Sequence, residues 1–277
     1  MRRQRLDAEL VRRGLARSRQ HAGELVAAGR VSVGGQSATK SASQVELGAA
    51  IEIVEAETGP DYVSRGAHKL LGALAAFDVE VTGRRCLDAG ASTGGFTDVL
   101  LRHGAGHVVC VDVGYGQLAW SLQQDERVTV LDRTNVRELT PEQVAPAPTL
   151  VVADLSFISL RLVLPALARC ASPDGDWLLM VKPQFEVGKE RLGSGGVVRD
   201  PALRALAVTD VARAAAADAL VVHGVTASPL PGPSGNVEYF LWLRRAEQAA
   251  AWDEAEQGRV SALVDAAVEA GPRGAAS

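Results

Sequence analysis

Cysteines and long apolar runs are both scarce in this chain. Its three cysteines, Cys86, Cys110 and Cys170, are far apart, and none belongs to a Cys-x-x-Cys pair. An odd number of isolated thiols argues against a disulfide framework or a zinc site, so we expect buried thiols and no bound metal. No 18-residue segment is both apolar and uncharged, and the basic start is not followed by the apolar segment of a secretory signal. We therefore expect a cytoplasmic monomer without membrane contact.

The charge of the chain is unevenly distributed. The whole sequence of 277 residues has a net charge of −4, which by itself does not indicate nucleic-acid binding. Residues 1–40 nevertheless contain nine basic and three acidic residues, a net charge of +6, and the rest of the chain carries −10. This basic segment is either an electrostatic binding surface confined to one end or a solvated helix face that is incidentally basic, and charge alone does not decide.

A glycine-rich turn separates a predicted strand from a predicted helix. It reads Asp88-Ala-Gly-Ala-Ser-Thr-Gly-Gly-Phe96. Such a turn lets a ligand approach the backbone and leaves N–H groups free at the start of the helix. Asp112 ends the next apolar run, where α/β nucleotide folds place the carboxylate that accepts a ribose hydroxyl. The turn lacks the Gly-x-Gly-x-x-Gly order of dinucleotide enzymes, so it is either another kind of nucleotide loop or an ordinary strand–turn–helix corner.

The pattern of elements predicts two domains. Residues 1–56 form a small α+β unit with helices at 5–14 and 18–29, a hairpin around Gly34-Gly35 and a last strand at 50–54. Residues 57–64 are a polar linker with a Gly-Pro breaker, 65–246 a larger domain that begins with a helix at 65–77, and 247–277 an acidic helix with a disordered tail. In the larger domain, strands are predicted at 84–88, 107–112, 127–132, 149–153, 176–181, 219–226 and 237–243, and helices at 95–103, 116–123, 140–144, 159–170 and 201–218. This alternation predicts an α/β fold with a parallel sheet covered on both faces and with 237–243 as an edge strand.

Charged residues gather where the predicted strands end. Asp154 follows the fourth strand, Lys182 the fifth, and Glu238 precedes the last, while Lys69 lies on the helix before the first strand. Ligands of open α/β sheets bind beyond the carboxyl ends of the strands. Each residue alone is adequately explained as half of an ion pair, but all four beside a glycine-rich loop favour a catalytic group.

The N-terminal unit resembles the S4 RNA-binding domain. The resemblance rests on Arg5-Leu6-Asp7, Gly14-Leu15, Ser18-Arg19, Ala22, Gly29, Val31, Val33 and Gly35 and spans nearly the whole unit. In that family the second helix and the turn after it face structured RNA. The resemblance implies that phosphates are contacted by Arg5, Arg12, Arg13, Arg17, Arg19 and Arg30, which adds salt-sensitive affinity without reading a base.

The larger domain resembles class I, Rossmann-like methyltransferases that use S-adenosylmethionine. The acid before the first glycine and the Gly-Gly-Phe after it are typical of their cofactor loop. The strand-four end has neither the Asn/Asp-Pro-Pro-aromatic motif of base-amino methyltransferases nor a nucleophilic cysteine. Lys69, Asp154, Lys182 and Glu238 match instead the Lys-Asp-Lys-Glu tetrad of ribose 2′-O-methyltransferases.

The whole chain resembles the TlyA family of rRNA 2′-O-methyltransferases, which also bears the name haemolysin A. Beyond the loop and the tetrad, the resemblance rests on Gly66-Ala-His-Lys69, Asp112-Val-Gly-Tyr-Gly116, Ala153-Asp154-Leu-Ser-Phe157, Lys182-Pro-Gln-Phe-Glu186 and residues 228–239. It implies methylation of cytidine riboses in 16S and 23S rRNA within ribosomal subunits. There are two alternatives. The first is a membrane-active haemolysin, which would need an insertion segment that the sequence lacks. The second is a non-catalytic protein that binds S-adenosylmethionine and RNA, and the intact tetrad argues against it.

The resemblance also assigns roles to individual residues. Lys182 orients the ribose hydroxyl and stabilises its developing negative charge, or accepts its proton if neutral, while Asp154 and Glu238 hold the two lysines. Asp112 accepts ribose hydroxyls of the cofactor, and Asn135, in preference to Asp132, meets its adenine. The cofactor set is Asp88, Gly90, Ala91, Ser92, Thr93, Gly94, Gly95, Phe96, Asp112, Val113 and Asn135. The glycine-rich segment 186–196 is either a loop that closes over a flipped nucleotide or a plain connection.

Overall fold

The computed structural model describes residues 3–27, 30–38, 40–53, 62–232, 234–246 and 252–272. The chain forms two compact units, residues 1–61 and 62–277. Most of the predicted linker at 57–64, and the tail predicted to be disordered after residue 272, lie outside the described residues. Each unit has an apolar core of its own.

The N-terminal unit combines two helices with short strands, as predicted. Its elements are β1 (Arg3–Arg5), α1 (Leu6–Arg12), α2 (Arg19–Ala27), β2 (Val31–Val33), β3 (Gln36–Ser37), β4 (Gln44–Glu46) and β5 (Ile51–Ile53). Leu6 and Leu10 share one face of α1 because they are four residues apart, and they pack with Leu25 and Val26 of α2. The ladder between β1 and β4 was not predicted, since both strands have three residues and are mostly polar.

The second unit is a seven-stranded sheet between two layers of helices. Its strands are β6 (Arg85–Ala89), β7 (His107–Val111), β8 (Val128–Leu131), β9 (Leu150–Ala153), β10 (Asp176–Val181), β11 (Leu220–Ala227) and β12 (Tyr239–Arg245). Its helices are α3 (Ala67–Phe77), α4 (Gly95–Arg102), α5 (Trp120–Gln123), α6 (Pro141–Val144), α7 (Leu164–Cys170), α8 (Pro183–Glu186), α9 (Pro201–Ala217) and α10 (Glu254–Ala270). The α/β class and the predicted strands are confirmed.

The position predicted for the last strand is wrong. The strand order is β11-β12-β10-β9-β6-β7-β8, so β12 lies inside the sheet and β11 is at its edge. β12 is antiparallel to both neighbours, whereas the ladders from β10 to β8 are parallel. The burial pattern explains the order: the first three residues of β12 are all buried, while β11 is only partly buried along its length. A strand covered on both faces requires such a continuous apolar run.

Two apolar layers hold the sheet. One face packs against α7, α9 and α10 and includes the fully buried Trp177 and Leu164. The other packs against α3 and α4, through residues such as Leu70 and Leu100. Within the described part of the chain, no helix is both long and apolar enough to cross a membrane.

Two predicted helices are shorter in the structure. The helix predicted at 116–123 is reduced to α5, because Gly116 has a φ of +63°. The helix predicted at 159–170 begins with a 3-10 turn, Leu160–Leu162, and becomes α-helical only at Leu164, which is followed by a proline at the second helical position. The acidic terminal helix predicted at 246–269 is confirmed as α10, and residues 247–251 lie outside the described residues.

Candidate active site

The turn between β6 and α4 requires glycine at two positions. Gly90 has a φ of +87°, and Gly94, the N-cap residue of α4, has a φ of +94°. A Cβ atom on Gly90 would lie 2.8 Å from the backbone oxygen of Asp154, so this turn packs directly on the end of β9. The turn therefore offers backbone rather than side chain to a ligand at this edge of the sheet.

The other predicted loop residues divide into exposed and packed ones. The side chain of Ser92 is exposed and that of Thr93 is half-buried, so both are accessible from solvent. Ala91 and Phe96 are buried, and the Phe96 ring stacks on Phe240 of β12. A Cβ atom on Gly95 would lie 3.0 Å from the backbone nitrogen of Ala67, so Gly95 lets α4 approach α3. These packed residues shape the loop from below.

Asp88 lies beneath the loop rather than on its surface. Its side chain is fully buried, and its Oδ2 accepts a hydrogen bond from Thr97 Oγ1 at 2.7 Å. Its Oδ1 has no hydrogen-bond partner among the described residues. The pKa of Asp88 is raised to about 7, mainly by burial and also by the Asp154 and Asp112 carboxylates, while hydrogen bonds from Thr97 act in the opposite direction. Three acids thus lie close enough to interact at one edge of the sheet.

Asp112 joins two strand ends at this edge. Its Oδ2 accepts from the backbone N–H of Ser92 at 2.9 Å, and its Oδ1 accepts from that of Gly114 at 2.7 Å. The carboxylate is only partly exposed, whereas the neighbouring Val113 is 71% exposed. Because a carboxylate oxygen has more than one lone pair, both oxygens can also accept from a ligand hydroxyl.

The structure reverses the reasoning that preferred Asn135 over Asp132. Asn135 is the residue that caps a turn: its side chain accepts from the backbone N–H of Arg137 at 3.1 Å and donates to Glu138 at 3.3 Å. Asp132 instead accepts from the backbone N–H of Gly116 at 2.9 Å, in the loop after β7. Asp132 therefore lies against the predicted pocket, while Asn135 is exposed and engaged in its cap.

Lys182 and Asp154 form an ion pair between the ends of β10 and β9. Lys182 Nζ lies 2.6 Å from Asp154 Oδ1 and donates a hydrogen bond to Ser156 Oγ at 2.8 Å. Asp154 Oδ1 has no hydrogen-bond partner among the described residues, so its contact with Lys182 is an ion pair without the alignment of a hydrogen bond. Lys182 is buried and Asp154 is 22% exposed. The pair is thus at the border between the core and solvent.

Lys69 and Glu238 form a second, deeper ion pair. Lys69 Nζ lies 2.5 Å from Glu238 Oε2, and the two side chains are 7% and 1% exposed. Glu238 Oε1 has no hydrogen-bond partner among the described residues, and a Cβ atom on Gly232 would lie 2.6 Å from it. Burying a charge costs free energy unless an opposite charge compensates it, so removing either Lys69 or Glu238 would leave the other as an uncompensated buried charge.

The sheet register brings the two pairs to the same edge. Val181 of β10 pairs with Tyr239 of the antiparallel β12, so the next residues outward are Lys182 and Glu238. Lys69 lies over β10, with its Nζ 4.0 Å from the Sδ of Met180. The four predicted catalytic residues and the glycine-rich turn are thus brought together. Two lysines held by carboxylates at one edge can bind a hydroxyl and stabilise negative charge on its oxygen.

Four of the six predicted RNA-contacting arginines are held by two acids of α1. The carboxylate of Asp7 accepts from Arg5 and Arg19, and the carboxylate of Glu9 accepts from Arg12 and Arg13. The Arg5 hydrogen bond is the main cause that lowers the pKa of Asp7 to about 2, and Arg12 is the main cause that lowers the pKa of Glu9 to about 2.

The six arginines differ in how much of each guanidinium remains accessible. Arg5, Arg12, Arg17 and Arg19 are exposed, whereas Arg13 and Arg30 are half-buried. Arg13 also donates to the carbonyls of Leu47 and Ala49, so it holds the N-terminal unit together. Arg13 is therefore less available for a phosphate than the four exposed arginines.

Sequence reasoning missed two polar residues at this edge. Ser156 contacts Lys182, and Glu186 is buried and accepts from Ser159 and the backbone of Leu160. Both residues belong to motifs named above, residues 153–157 and 182–186. The loop and the polar segment that contain them have no periodic pattern from which their contacts could be predicted. Only the positions of the two strand ends reveal them.

Comparison with known proteins agrees with this geometry. The FtsJ-like methyltransferase family matches residues 62–245, and the S4 domain matches residues 4–51. The 16S/23S rRNA (cytidine-2′-O)-methyltransferase TlyA of Mycobacterium tuberculosis is 64% identical over 88% of this chain and 90% of its own length. Hemolysin A of Brachyspira hyodysenteriae is 35% identical over 85% of this chain and 98% of its own length.

A solved structure supports the same grouping. A protein of Streptococcus thermophilus that is assigned as a hemolysin superposes with a TM-score of 0.74 at 35% identity, covering 97% of this chain and 98% of that one. These likenesses extend over both units of the chain. The chain therefore belongs to the TlyA family of FtsJ-like methyltransferases, with an S4 domain ahead of its methyltransferase domain.

Proposed function

We propose that this protein transfers a methyl group from S-adenosylmethionine to the 2′-hydroxyl of cytidine riboses in ribosomal RNA. The observation that carries the proposal is the pair of lysine–carboxylate contacts, Lys182–Asp154 and Lys69–Glu238, beside the glycine-rich turn. The tetrad matches the residue types that a ribose methyltransferase needs, and it lies at the sheet edge where such folds bind ligands.

The residues at this edge fit S-adenosylmethionine. The molecule supplies a methyl group on a positively charged sulfur. The carboxylates of Asp112 and Asp154 both lie close enough to raise the pKa of the buried Asp88, so negative charge gathers at this edge and favours a cation there. The strained turn at Gly90 permits a close backbone approach, and Asp112 has lone pairs left for ribose hydroxyls. Asp132 is a better partner than Asn135 for the adenine end.

The chain's own residues then prepare the hydroxyl. In this proposal Lys182 donates a hydrogen bond to the 2′-oxygen and stabilises its growing negative charge as the new oxygen–carbon bond forms and the carbon–sulfur bond breaks. Asp154 keeps Lys182 oriented, and Glu238 does the same for Lys69. The hydroxyl proton leaves through Lys182 if that lysine is neutral, and otherwise to solvent at the half-exposed rim. Holding oxygen, methyl and sulfur in line contributes much of the acceleration.

The substrate follows from the relatives and from the S4 domain. TlyA of Mycobacterium tuberculosis is named for 16S and 23S rRNA, and TlyA of Campylobacter jejuni, 36% identical over 65% of this chain, for 23S rRNA. The exposed arginines of the S4 domain suit a phosphodiester backbone. We infer that the enzyme acts as a monomer on ribosomal subunits, in the cytoplasm where they are assembled.

The first experiment uses methyl-labelled S-adenosylmethionine with ribosomal subunits that lack the modification, and with naked rRNA. We expect label at a cytidine whose 3′ phosphodiester becomes resistant to alkali, because the 2′-hydroxyl is then blocked. Lys182→Ala should lower kcat by at least 10²-fold, as expected for loss of a group that stabilises an oxyanion. Asp210→Ala, which removes a partly exposed carboxylate paired with Arg213 in the middle of α9, is the control and should retain activity.

Four other outcomes would redirect the proposal. Label at an alkali-sensitive nucleotide would keep the methyltransferase and move the target to a base. No label on any subunit, with S-adenosylmethionine bound, would favour the non-catalytic alternative. Lysis of red cells by the same preparation, unchanged in Lys182→Ala, would favour the haemolysin. Full activity of Lys182→Ala would remove Lys182 from the chemistry.

A further inference from the structure

The chain segments that carry Asp154 and Lys182 have little regular structure of their own. Residues 154–159 connect β9 to a 3-10 turn without a helix or strand, and Phe157 within them has a φ of +63°. Residues 183–186 form α8, a single helical turn directly after Lys182. Catalysis of the proposed kind requires the reacting groups to keep their places within fractions of an ångström. Side-chain contacts between the two segments must therefore hold them in place.

Glu186 joins the two segments through several hydrogen bonds. Its Oε1 accepts from the backbone N–H of Leu160 at 2.7 Å, and its Oε2 accepts from Ser159 Oγ at 2.6 Å and from Arg161 Nε at 3.2 Å. Its backbone oxygen accepts from Arg161 Nη2 at 3.1 Å. The Glu186 side chain is 1% exposed. Burial raises the pKa of Glu186, and the donors at Ser159, Leu160 and Arg161 act against that increase.

The same two segments meet at two further places. The rings of Phe157 and Phe185 pack with their centroids 5.3 Å apart. Lys182 and Asp154 form their ion pair, with Ser156 as the second partner of the lysine. The Glu186 contacts are the most buried of the three sets, whereas Phe157 is 91% exposed. The buried contacts therefore fix the relative position of the segments, and the ion pair depends on that position.

We propose that Glu186 is a positioning residue that aligns Lys182 with Asp154 for methyl transfer, an inference that rests on the proposed function. Both carboxylate oxygens are engaged by protein donors, so Glu186 acts through the segments it joins and not on the substrate. The glycine-rich turn and Asp112 are on other strand ends. Loss of Glu186 should thus lower kcat and leave the binding of S-adenosylmethionine unchanged.

The test compares Glu186 with a buried carboxylate at the opposite end of β10. Asp176 is buried and accepts from Arg84 at 2.8 Å and Trp242 at 2.8 Å, so Asp176→Asn and Asp176→Ala are matched controls. We expect Glu186→Ala to lower kcat about 10²-fold, the effect of a small misplacement of reacting groups, with KM for S-adenosylmethionine within about twofold. Glu186→Gln retains one acceptor and should recover part of kcat. The Asp176 variants should lose stability with kcat within about twofold.

Hydrogen exchange tests the alignment without any assay of methyl transfer. In Glu186→Ala, backbone amides of residues 154–162 should exchange faster, while those of 88–96 should not change. Ser159→Ala removes one of the contacts and serves if Glu186→Ala does not fold. If the wild-type protein shows no methyl transfer but Glu186→Ala still accelerates exchange at 154–162, the proposed function is refuted while the role of Glu186 in joining the two segments stands. A kcat of Glu186→Ala equal to that of Asp176→Ala, or unchanged exchange at 154–162, would overturn the inference.

Discussion

At the scale of single residues, the least expected feature is a buried acid that is not paired with a base. Asp88 is fully buried, and one of its oxygens has no partner among the described residues. Because burial raises its pKa to about 7, folding takes up a proton that the unfolded chain, with an ordinary pKa of about 3.9, releases. Asp88 therefore costs stability increasingly as the pH rises from its unfolded to its folded pKa, and the full cost is present above the folded pKa.

The substitution Asp88→Asn should remove this pH dependence. Below pH 4 both states of Asp88 are protonated and the two proteins should be similar. As the pH rises from about 4 to about 7, the wild type loses stability relative to the variant, by up to about 4 kcal/mol at pH 8. The four tryptophans all lie in the second unit, so their fluorescence during urea unfolding at several pH values measures this unit.

Thr97→Val supplies the control for that measurement. It removes the hydrogen bond that opposes the raised pKa, so the loss of stability should extend to higher pH than in the wild type. A stability difference between Asp88→Asn and wild type that is constant between pH 4 and pH 8 would contradict the assignment.

The sequence predicted which charged residues lie at the site better than it predicted the hydrogen bonds that individual side chains make. The four tetrad residues were predicted, and the structure brings them together. Asp154 and Lys182 directly follow apolar runs, so they lie at the ends of parallel strands, whereas Glu238 precedes the antiparallel β12 and Lys69 lies on α3. Their catalytic roles remain predictions. The preference for Asn135 over Asp132 at the adenine stays a prediction, but its premise was wrong: Asn135 caps the turn, and only the local hydrogen bonds distinguish the two residues.

At the scale of elements, the turn between β6 and α4 includes Gly90, where a side chain would be both strained by the positive φ and crowded by Asp154. Gly90→Ala should weaken binding of S-adenosylmethionine by at least tenfold and destabilise the second unit by about 1–3 kcal/mol, because the new methyl group would meet the Asp154 carbonyl. Calorimetry of binding and urea unfolding measure the two effects.

Gly104→Ala is the matched control for the glycine at position 90. Gly104 has a similar φ of +81°, but its nearest neighbour to a Cβ atom is 3.5 Å away. Gly104→Ala should therefore lose stability through backbone strain alone and bind S-adenosylmethionine as the wild type does. Equal binding by the two variants would show that the close approach at Gly90 has no part in the site.

The start of α9 offers a test of stability without function. Asp200 caps this helix by accepting from the backbone N–H of Ala202 at 2.9 Å, ahead of a proline at the first helical position. Asp200→Ala should cost about 1 kcal/mol of unfolding free energy, the usual value of such a cap, and leave kcat unchanged. A fall in kcat would mean that α9 transmits strain to the strand ends.

Elements were predicted well where a pattern was long and poorly where it was short. The strands from β6 to β12 are apolar runs of four or more residues, and their positions were correct to within a few residues. The predicted edge position of β12 was wrong because it was inferred from chain order, whereas the interior position of the sheet is occupied by a strand that is apolar on both faces. The 3-10 turns and the short β1–β4 ladder carry too few residues for any period.

At the scale of the whole molecule, positive charge is concentrated in the first 40 residues and is not divided between the two units. The net charge of +6 over residues 1–40 contrasts with −10 for the rest, so attraction of RNA is expected at one end. The acids Asp7 and Glu9 hold exposed arginines in place, which reduces the entropy that is lost when a phosphate binds.

The double substitution Arg5→Ala with Arg19→Ala should weaken binding to rRNA and reduce its salt dependence. Each phosphate contact contributes a slope of about 0.7–0.9 in a plot of log affinity against log salt, so loss of two contacts should reduce the slope by about 1.4–1.8. Arg213→Ala, an exposed arginine of the second unit, should leave the slope unchanged. An unchanged slope in the double variant would exclude both arginines from the RNA surface.

The central position of β12 has a consequence for the order in which the molecule is made. β11 pairs only with β12, and β12 occupies the place beside β10, so neither strand can join the sheet until residue 245 has been synthesised. The hairpin then enters as one piece and delivers Glu238 to a lysine located 169 positions earlier in the chain. We therefore expect a nascent chain on a translating ribosome to lack the Lys69–Glu238 ion pair, and with it methyl transfer, until β12 has emerged.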